Sequence, residues 1–543
     1  MMGLRVVRQM RRFYGLGLAW ELVASLRAHD GSLAEYVKWF SSTKTYRVRP
    51  GVHRQDAPRV IALLFVMIAQ ITIGIWLITD WLVHESIGLG AFGAAILLAY
   101  PIVTAYGFAA CVGLWRATAY IVSPKRIGKA VVGRMLEAQV RQLRSKHHFK
   151  VVAVAGSVGK TTTKLAIAEL LGSGLRVRYQ KGNYNDRVTI PLVFFGQSLP
   201  SLYNLFAWMK IFGENAAMAA LPYPYDVVVV ELGTDGPGQM KQFAYLRPDI
   251  SVLTAVTPEH MENFGSIKAV AAEETCVFGY SKQVLINADD VAADYVLHEN
   301  FTRYSIYDSS ADNYAHSAKS SLAGQELAIT LPAGKLTVHV QYLGSQGARC
   351  ALAAAAVAAL LGFDRPAIKQ GLTQLEPFAG RMRVLNGVKN AKIIDDTYNA
   401  SPVAVKAALD VVYAAPAPQR IVVLGSMNEM GAYAKVAHQE VGEYCDASKL
   451  DYVLTLGRDA GRWIAPAAKA RGCQVRSFTD ADACAMFIRK QLQDNAVVLV
   501  KGSQNGVFAE EVVKLLLAHP KDSEKLVRQS PGWLRKKARQ AQR

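Results

Sequence analysis

One stretch constrains this chain more than any other: VVAVAGSVGKTTTK at 151–164. Its β-branched apolar run predicts a buried strand, residues 156–160 a glycine-bounded turn, and the residues from Thr161 onward a helix. Strand, glycine turn and helix N-terminus in succession make an anion site. Backbone N–H groups point inward, the helix dipole favours negative charge, and Lys160 adds a cation. Gly156, Ser157, Val158, Gly159, Lys160, Thr161 and Thr162 are therefore the candidate phosphate-binding residues, and the Thr161 hydroxyl is the expected Mg²⁺ contact. The usual phosphate loop opens with an earlier glycine, at the position of Val154 here, so this is a nucleotide-binding loop of a shorter kind.

Hydrophobic residues make up 51% of the 543, and mean hydropathy is +0.13, high for an enzyme that works in water. Residues 60–78 are almost wholly apolar apart from Gln70, and 91–115 form a second apolar run broken by Pro101; each predicts a membrane span. The intervening residues 84–90 contain no Lys or Arg, whereas basic residues crowd into 1–59 and 125–146. That asymmetry predicts a two-span hairpin in the inner (cytoplasmic) membrane, N-in and C-in, with everything after Ser123 in the cytoplasm. The net charge of +19 gathers beside this hairpin and in the tail, which favours anionic membrane lipids over nucleic acid as a partner. Six scattered cysteines without a CxxC pair argue against a disulfide framework or structural zinc and fit a reducing compartment.

Downstream, DVVVVELG at 226–233 predicts a buried strand ending in Glu231. A strand-end carboxylate near a phosphate loop holds Mg²⁺ directly or through water. Another strand, 250–256, leads into TPEHMENFGS at 257–266, which sets His260 at the end of a third parallel strand. Residues 379–516 alternate apolar strands with helical stretches, an α/β Rossmann-like pattern without a GxGxxG opening. The basic tail, 521–543, reads as a solvated terminus, with contact to anionic lipid as the alternative.

The order GSVGKTTT, VVVVELG, PEHMENFGS resembles the Mur ligase superfamily of ATP-dependent, amide-forming enzymes. GRMR at 380–383, DDTYNASP at 395–402, VLGSMNEMG at 423–431 with His438, and VKGS at 500–503 resemble its D-alanyl-D-alanine-adding branch. This resemblance implies an α/β fold with a central ATP-binding domain over 149–376 and a closing C-terminal domain over 377–520. Ahead of them would stand a basic segment 1–59, the hairpin 60–122 and an amphipathic linker helix 123–148. It also implies roles: Lys160 on the ATP phosphates, Thr161 and Glu231 on one Mg²⁺, His260 placing a second, and Arg381 reaching the phosphates. Asp396, Tyr398 and Asn399 would bound the ribose and adenine, while Asn183, Asn185, Lys501 and Ser503 would contact substrate. The implied reaction phosphorylates a muropeptide carboxylate and lets the amine of D-alanyl-D-alanine attack the acyl phosphate.

Several positions depart from the family pattern. Glu274 stands where many relatives carry a carbamylated lysine, and is expected to supply a permanent carboxylate to the second Mg²⁺. Asp186, Arg187 and Thr189 alter the substrate loop, Gln346 and Gly347 replace a His-Asn pair, and Gln504 replaces an arginine. The small uridine-diphosphate-gripping domain with which such ligases begin is not apparent. The substrate could therefore be nucleotide-linked or lipid-linked, another amine could be the acceptor, and a non-catalytic nucleotide-binding scaffold is the reading from a different class.

Overall fold

The computed structural model describes residues 57–84, 87–98, 124–182, 184–296, 301–428, 430–504 and 506–541. The chain divides into two compact units, the first ending at Ala130.

In the first unit, helices α1 (Ala57–His84) and α2 (Ile87–Leu98) form an antiparallel pair. Gly93 permits their contact: a Cβ there would lie 2.9 Å from Gly74 O and 3.0 Å from Leu77 Cβ. Gln70 Nε2 donates to Ile96 O across the pair, and the Thr72 and Thr79 hydroxyls donate one turn back along α1. Among the described residues no helix is long and apolar enough to cross a membrane. The expectation of a two-span, N-in/C-in placement in the inner membrane is thereby overturned. Residues 99–115 of the second expected span lie outside the described residues, as do residues 1–56, whose charges carried the orientation and much of the lipid expectation.

The second unit is built on two sheets. The first has the order β2-β3-β1-β4-β5-β6-β7-β8-β9. Its parallel part comprises β1 (Lys150–Ala155), β2 (Val177–Arg178), β3 (Val227–Glu231), β4 (Ile250–Leu253), β5 (Gln283–Asn287) and β6 (Phe301–Ser305), and it continues into β7 (Asn313–Ser321). An antiparallel meander, β7 with β8 (Gly324–Leu331) and β9 (Gly334–Val340), completes it. Strand β1 shows why the pattern folds this way. Val152 and Val154 enter the core on one face, Val151, Ala153 and Ala155 the core on the other, as the twofold period of a strand requires. Helix α3 (Pro124–Lys146) covers the second face with Val140 and Leu143. Helix α4 (Lys160–Leu171) and the alanine-rich α5 (Gly344–Leu360) cover the first.

The second sheet runs β10-β11-β15-β12-β13-β14, parallel except at its edge strand β10 (Arg383–Asn386). Strands β11 (Lys392–Asp396), β12 (Arg420–Gly425), β13 (Tyr452–Leu456), β14 (Val475–Phe478) and β15 (Val497–Lys501) alternate their side chains between two further cores. Ile394, Val422 and Leu499 enter one; Ile393, Ile421 and Val498 enter the other. In both sheets the carboxyl ends of the parallel strands carry the motif residues, the place where open α/β sheets bind ligands.

Candidate active site

The phosphate loop is seated on the exit of β4. Gly156 has φ +117°, and a Cβ there would lie 2.4 Å from Thr254 Oγ1 and 2.8 Å from Ala255 N. Ser157 N donates to Ala255 O, Thr257 N donates to Ser157 Oγ, and Thr254 Oγ1 donates to Val158 O. Gly159 (φ +87°) caps α4, so the helix amides open toward the loop. Val154 is a fully buried strand residue paired with Glu231 and Val252, which explains why the loop starts two residues later.

Thr161 Oγ1 donates to Glu231 Oε1 at 3.2 Å, so the two expected Mg²⁺ contacts meet. Glu231 Oε2 is 3.2 Å from the ammonium of Lys164, itself buried. Lys160 Nζ donates to Gly156 O and lies 3.7 Å from Glu259 Oε1. Burial works against its charge, but Glu259, Glu274 and Glu231 outweigh that and raise its pKa. Glu259 sat unassigned in the sequence motif; its place beside His260 was the only signal. Burial pushes its carboxyl well above the usual range, with Lys160 opposing and Glu274 reinforcing the shift.

Glu274 is fully buried at the end of a helix, Ile267–Glu274, and accepts from Gly156 N at 2.7 Å. It stands behind the phosphate loop and is not among the residues that line the cleft. His260 does line the cleft, in a left-handed conformation (φ 44°), with Nε2 3.6 Å from Asp235 Oδ1.

The cleft, about 410 Å³, brings Lys160, Glu231 and His260 together with Arg381, Asp396, Tyr398 and Asn399 from the second sheet. The Arg381 guanidinium lies 4.2 Å from the Tyr398 ring centroid, and its buried Nε has no hydrogen-bond partner. Lys501 Nζ is engaged by Asp396 Oδ2 and Asn399 O, so its charge fixes the loop after β11. Asn185 lines the cleft; Asn183 lies outside the described residues. Ser503 is fully buried, accepts from Asn428 N at 3.1 Å and does not line the cleft. Gln504 and Gln346 line it at the altered family positions. His438 is buried away from it, where Nε2 accepts from Met427 N and burial lowers the ring's pKa. Asp395, one residue before Asp396, accepts from Thr397 and Gly380, and burial pushes its carboxyl up to about 6.

Residues 154–358 match the Mur ligase middle domain and 380–504 the Mur ligase glutamate ligase domain. The UDP-N-acetylmuramoyl-tripeptide–D-alanyl-D-alanine ligase of Haemophilus influenzae is 28% identical over 391 residues, covering 69% of this chain and 78% of the relative. The ligase of the same name from Bacillus subtilis is 26% identical over 378 residues, covering 68% and 76%. Among solved structures, MurF from Acinetobacter baumannii superposes with a TM-score of 0.60 at 20% identity, over 71% of this chain and 80% of that one. MurF ligase from Thermotoga maritima in complex with ADP superposes with a TM-score of 0.58 at 23% identity, over 72% and 84%. At those identities the superpositions speak for the fold, and the two domain signatures in their order speak for the lineage: this chain belongs to the Mur ligase family of ATP-dependent ligases.

Proposed function

We infer that this protein joins D-alanyl-D-alanine to a UDP-N-acetylmuramoyl-tripeptide in peptidoglycan precursor synthesis, using ATP and an acyl-phosphate intermediate. The observation that carries this reading is the single cleft in which the phosphate loop and Glu231 face Arg381 and Tyr398 across two sheets. The relatives that share both domains are named for that reaction.

Lys160 and the loop amides would bind the ATP phosphates, and Arg381, whose Nε lacks a partner, would reach them from the opposite wall. Thr161 and Glu231 fit Mg²⁺, which takes one or two protein oxygens and completes its shell with phosphate oxygens and water. Among the described residues no group of three or more His, Cys, Asp or Glu could hold a metal ion. When bound, the ion would neutralise charge on the transferring phosphoryl group. His260 is the further metal-side candidate, and Glu274 would act by holding the loop amide of Gly156. Asp396, Tyr398 and Asn399 would bound the nucleoside, and Asn183, Asn185, Lys501 and Ser503 would shape the substrate side. The ATP-binding domain would span 149–376 and the closing domain 377–520, whose approach excludes water from the acyl phosphate.

Phosphate release by the full chain with ATP, Mg²⁺ and D-alanyl-D-alanine tests the reading, with Lys160→Ala as the blank. Turnover with the nucleotide-linked tripeptide is the expected result. Turnover only with a lipid-linked muropeptide would replace the substrate. Silence with both, while ADP still binds, would favour another acceptor or the scaffold reading.

A further inference from the structure

The matched family domains end at residue 504, and the chain beyond them packs against the loop that follows β11. After helix α6 (Glu510–Leu516), residues 520–541 fold back and end in helix α7 (Pro531–Ala541). Arg528 is the centre of this return. Its Nε donates to Glu510 Oε1 at 2.8 Å and its Nη2 to Glu510 Oε2 at 2.7 Å, a two-pronged pair with a fully buried carboxylate. The other edge of the guanidinium turns toward the site: Nη1 donates to Tyr398 O at 3.2 Å, and Nη2 also donates to Thr397 O. These are the carbonyls of the loop that follows β11 and carries the candidate nucleoside residues.

Further observations bear on the same region. Val527 packs on Gly380 so closely that a Cβ on that glycine would lie 3.0 Å from Val527 Cγ1 and 2.9 Å from Tyr398 N. Tyr398 N donates to Gly380 O, which ties the loop to the residue before Arg381. Lys537 of α7 lies 2.8 Å from Glu510 Oε1, so the tail helix closes over the same carboxylate. Arg528 itself holds φ 57°, a left-handed backbone that residues other than glycine adopt only uncommonly. A second recess, beside the cleft, is lined by Thr161 and Leu165 of the phosphate-loop helix and by Arg381, Tyr398 and Val527.

We propose that Arg528 is a positioning residue for the nucleotide site: it clamps the Thr397–Tyr398 backbone against Glu510 and thereby sets the stacked pair of Arg381 and Tyr398. The inference rests on the reading of this cleft as the ATP site. A guanidinium suits the task because it can serve a carboxylate with one edge and two carbonyls with the other, which an ammonium does only in part. The tail, which by composition reads as a solvated terminus, is in this view the outer brace of the active site.

Calorimetric titration of the full chain with ADP and Mg²⁺ tests it, alongside thermal unfolding. Arg528→Ala is expected to weaken ADP binding about tenfold or more. Arg528→Lys recovers part of the loss. Arg535→Ala, which removes the same charge from an exposed position of α7, leaves the affinity as in the wild type. In turnover, Arg528→Ala raises KM for ATP while kcat stays within about twofold, the pattern of binding lost equally from ground and transition states. Wild-type affinity in Arg528→Ala overturns the proposal even if that variant melts earlier. Should Arg528→Ala not fold, Glu510→Gln decides: it keeps the side-chain shape and is expected to weaken ADP binding, and unchanged affinity there also overturns the clamp. Failure of the wild type to bind ADP would overturn the reading of the cleft itself.

Discussion

Gly156→Ala isolates what the phosphate loop depends on. The added methyl would sit 2.4 Å from Thr254 Oγ1, 2.8 Å from Ala255 N and 2.9 Å from Thr254 N, where ordinary contact begins near 3.4 Å. Overpacking of this kind costs about 1–3 kcal/mol, and forcing a φ of +117° on an L-residue adds about 1–3 kcal/mol. The loop will not bear that sum; it will lift from β4. Lifting breaks the 2.7 Å bond from Gly156 N to Glu274, whose buried carboxylate loses a donor at a further cost of about 1–3 kcal/mol. Spending even 3 kcal/mol of this, roughly, on reordering the loop when nucleotide binds lowers affinity by about a hundredfold. Calorimetric titration with ADP and Mg²⁺ should therefore show a Kd raised by about that factor, while the two cores flanking β1 keep the fold cooperative. Gly279→Ala, where a Cβ meets nothing within 4 Å, is the matched control. Thr254→Ala should not rescue, because two of the three close contacts are backbone atoms. ADP affinity within about threefold of wild type, less than 1 kcal/mol, would refute the idea that the loop is rigidly seated.

Glu231→Gln should move the Mg²⁺ requirement of phosphate release to higher concentration, and an unmoved midpoint would exclude Glu231 from the metal site. The same change leaves Lys164 buried without its 3.2 Å counter-ion, so the melting temperature should fall as well. Asp395 keeps its proton in the native state up to about pH 6, whereas the unfolded group has a pKa of 3.8. Between those values the native state binds more protons, so this group's contribution to stability falls as pH rises through the window and is flat above it. Urea unfolding of wild type and Asp395→Asn at several pH values should show that slope only in the wild type; a difference independent of pH would refute it. Gly213 lies inside the helix Leu205–Ala220 with open space at its Cβ, so Gly213→Ala should raise stability by about 0.5–1 kcal/mol in the same assay. A loss of stability there would show that the helix is not formed as described.

The parts legible in the sequence share one property: their chemistry is written in contiguous residues. β-branched residues, a glycine turn and a hydroxyl-lysine pair force strand, loop and helix within 151–164, because backbone geometry acts over a few residues. The apolar runs that form β3, β4 and, in the second sheet, β11, β12, β13 and β15 are readable for the same reason, whereas β10 and the half-exposed β14 are not; motif order alone carried the family resemblance. What depended on distant partners was not readable. Glu274 looks from sequence like a metal-side carboxylate, and nothing local shows its bond to Gly156 N, 118 residues away. Lys501 reads as a substrate contact and does line the cleft, but nothing local shows that Asp396, 105 residues earlier, engages its ammonium. Hydropathy counted the apolar runs 60–78 and 91–115 as spans, whereas among the described residues no helix is long and apolar enough to cross a membrane. The basic tail shows the same limit from the other side: its charges read as solvated until Glu510 and the carbonyls of Thr397 and Tyr398, 131 and 130 residues from Arg528, supply their partners. Local spacing thus determined which elements form and which chemistry they could host. Tertiary packing alone decided which charges face the cleft and which are spent on holding it, because a charge takes its role from its nearest partner in space.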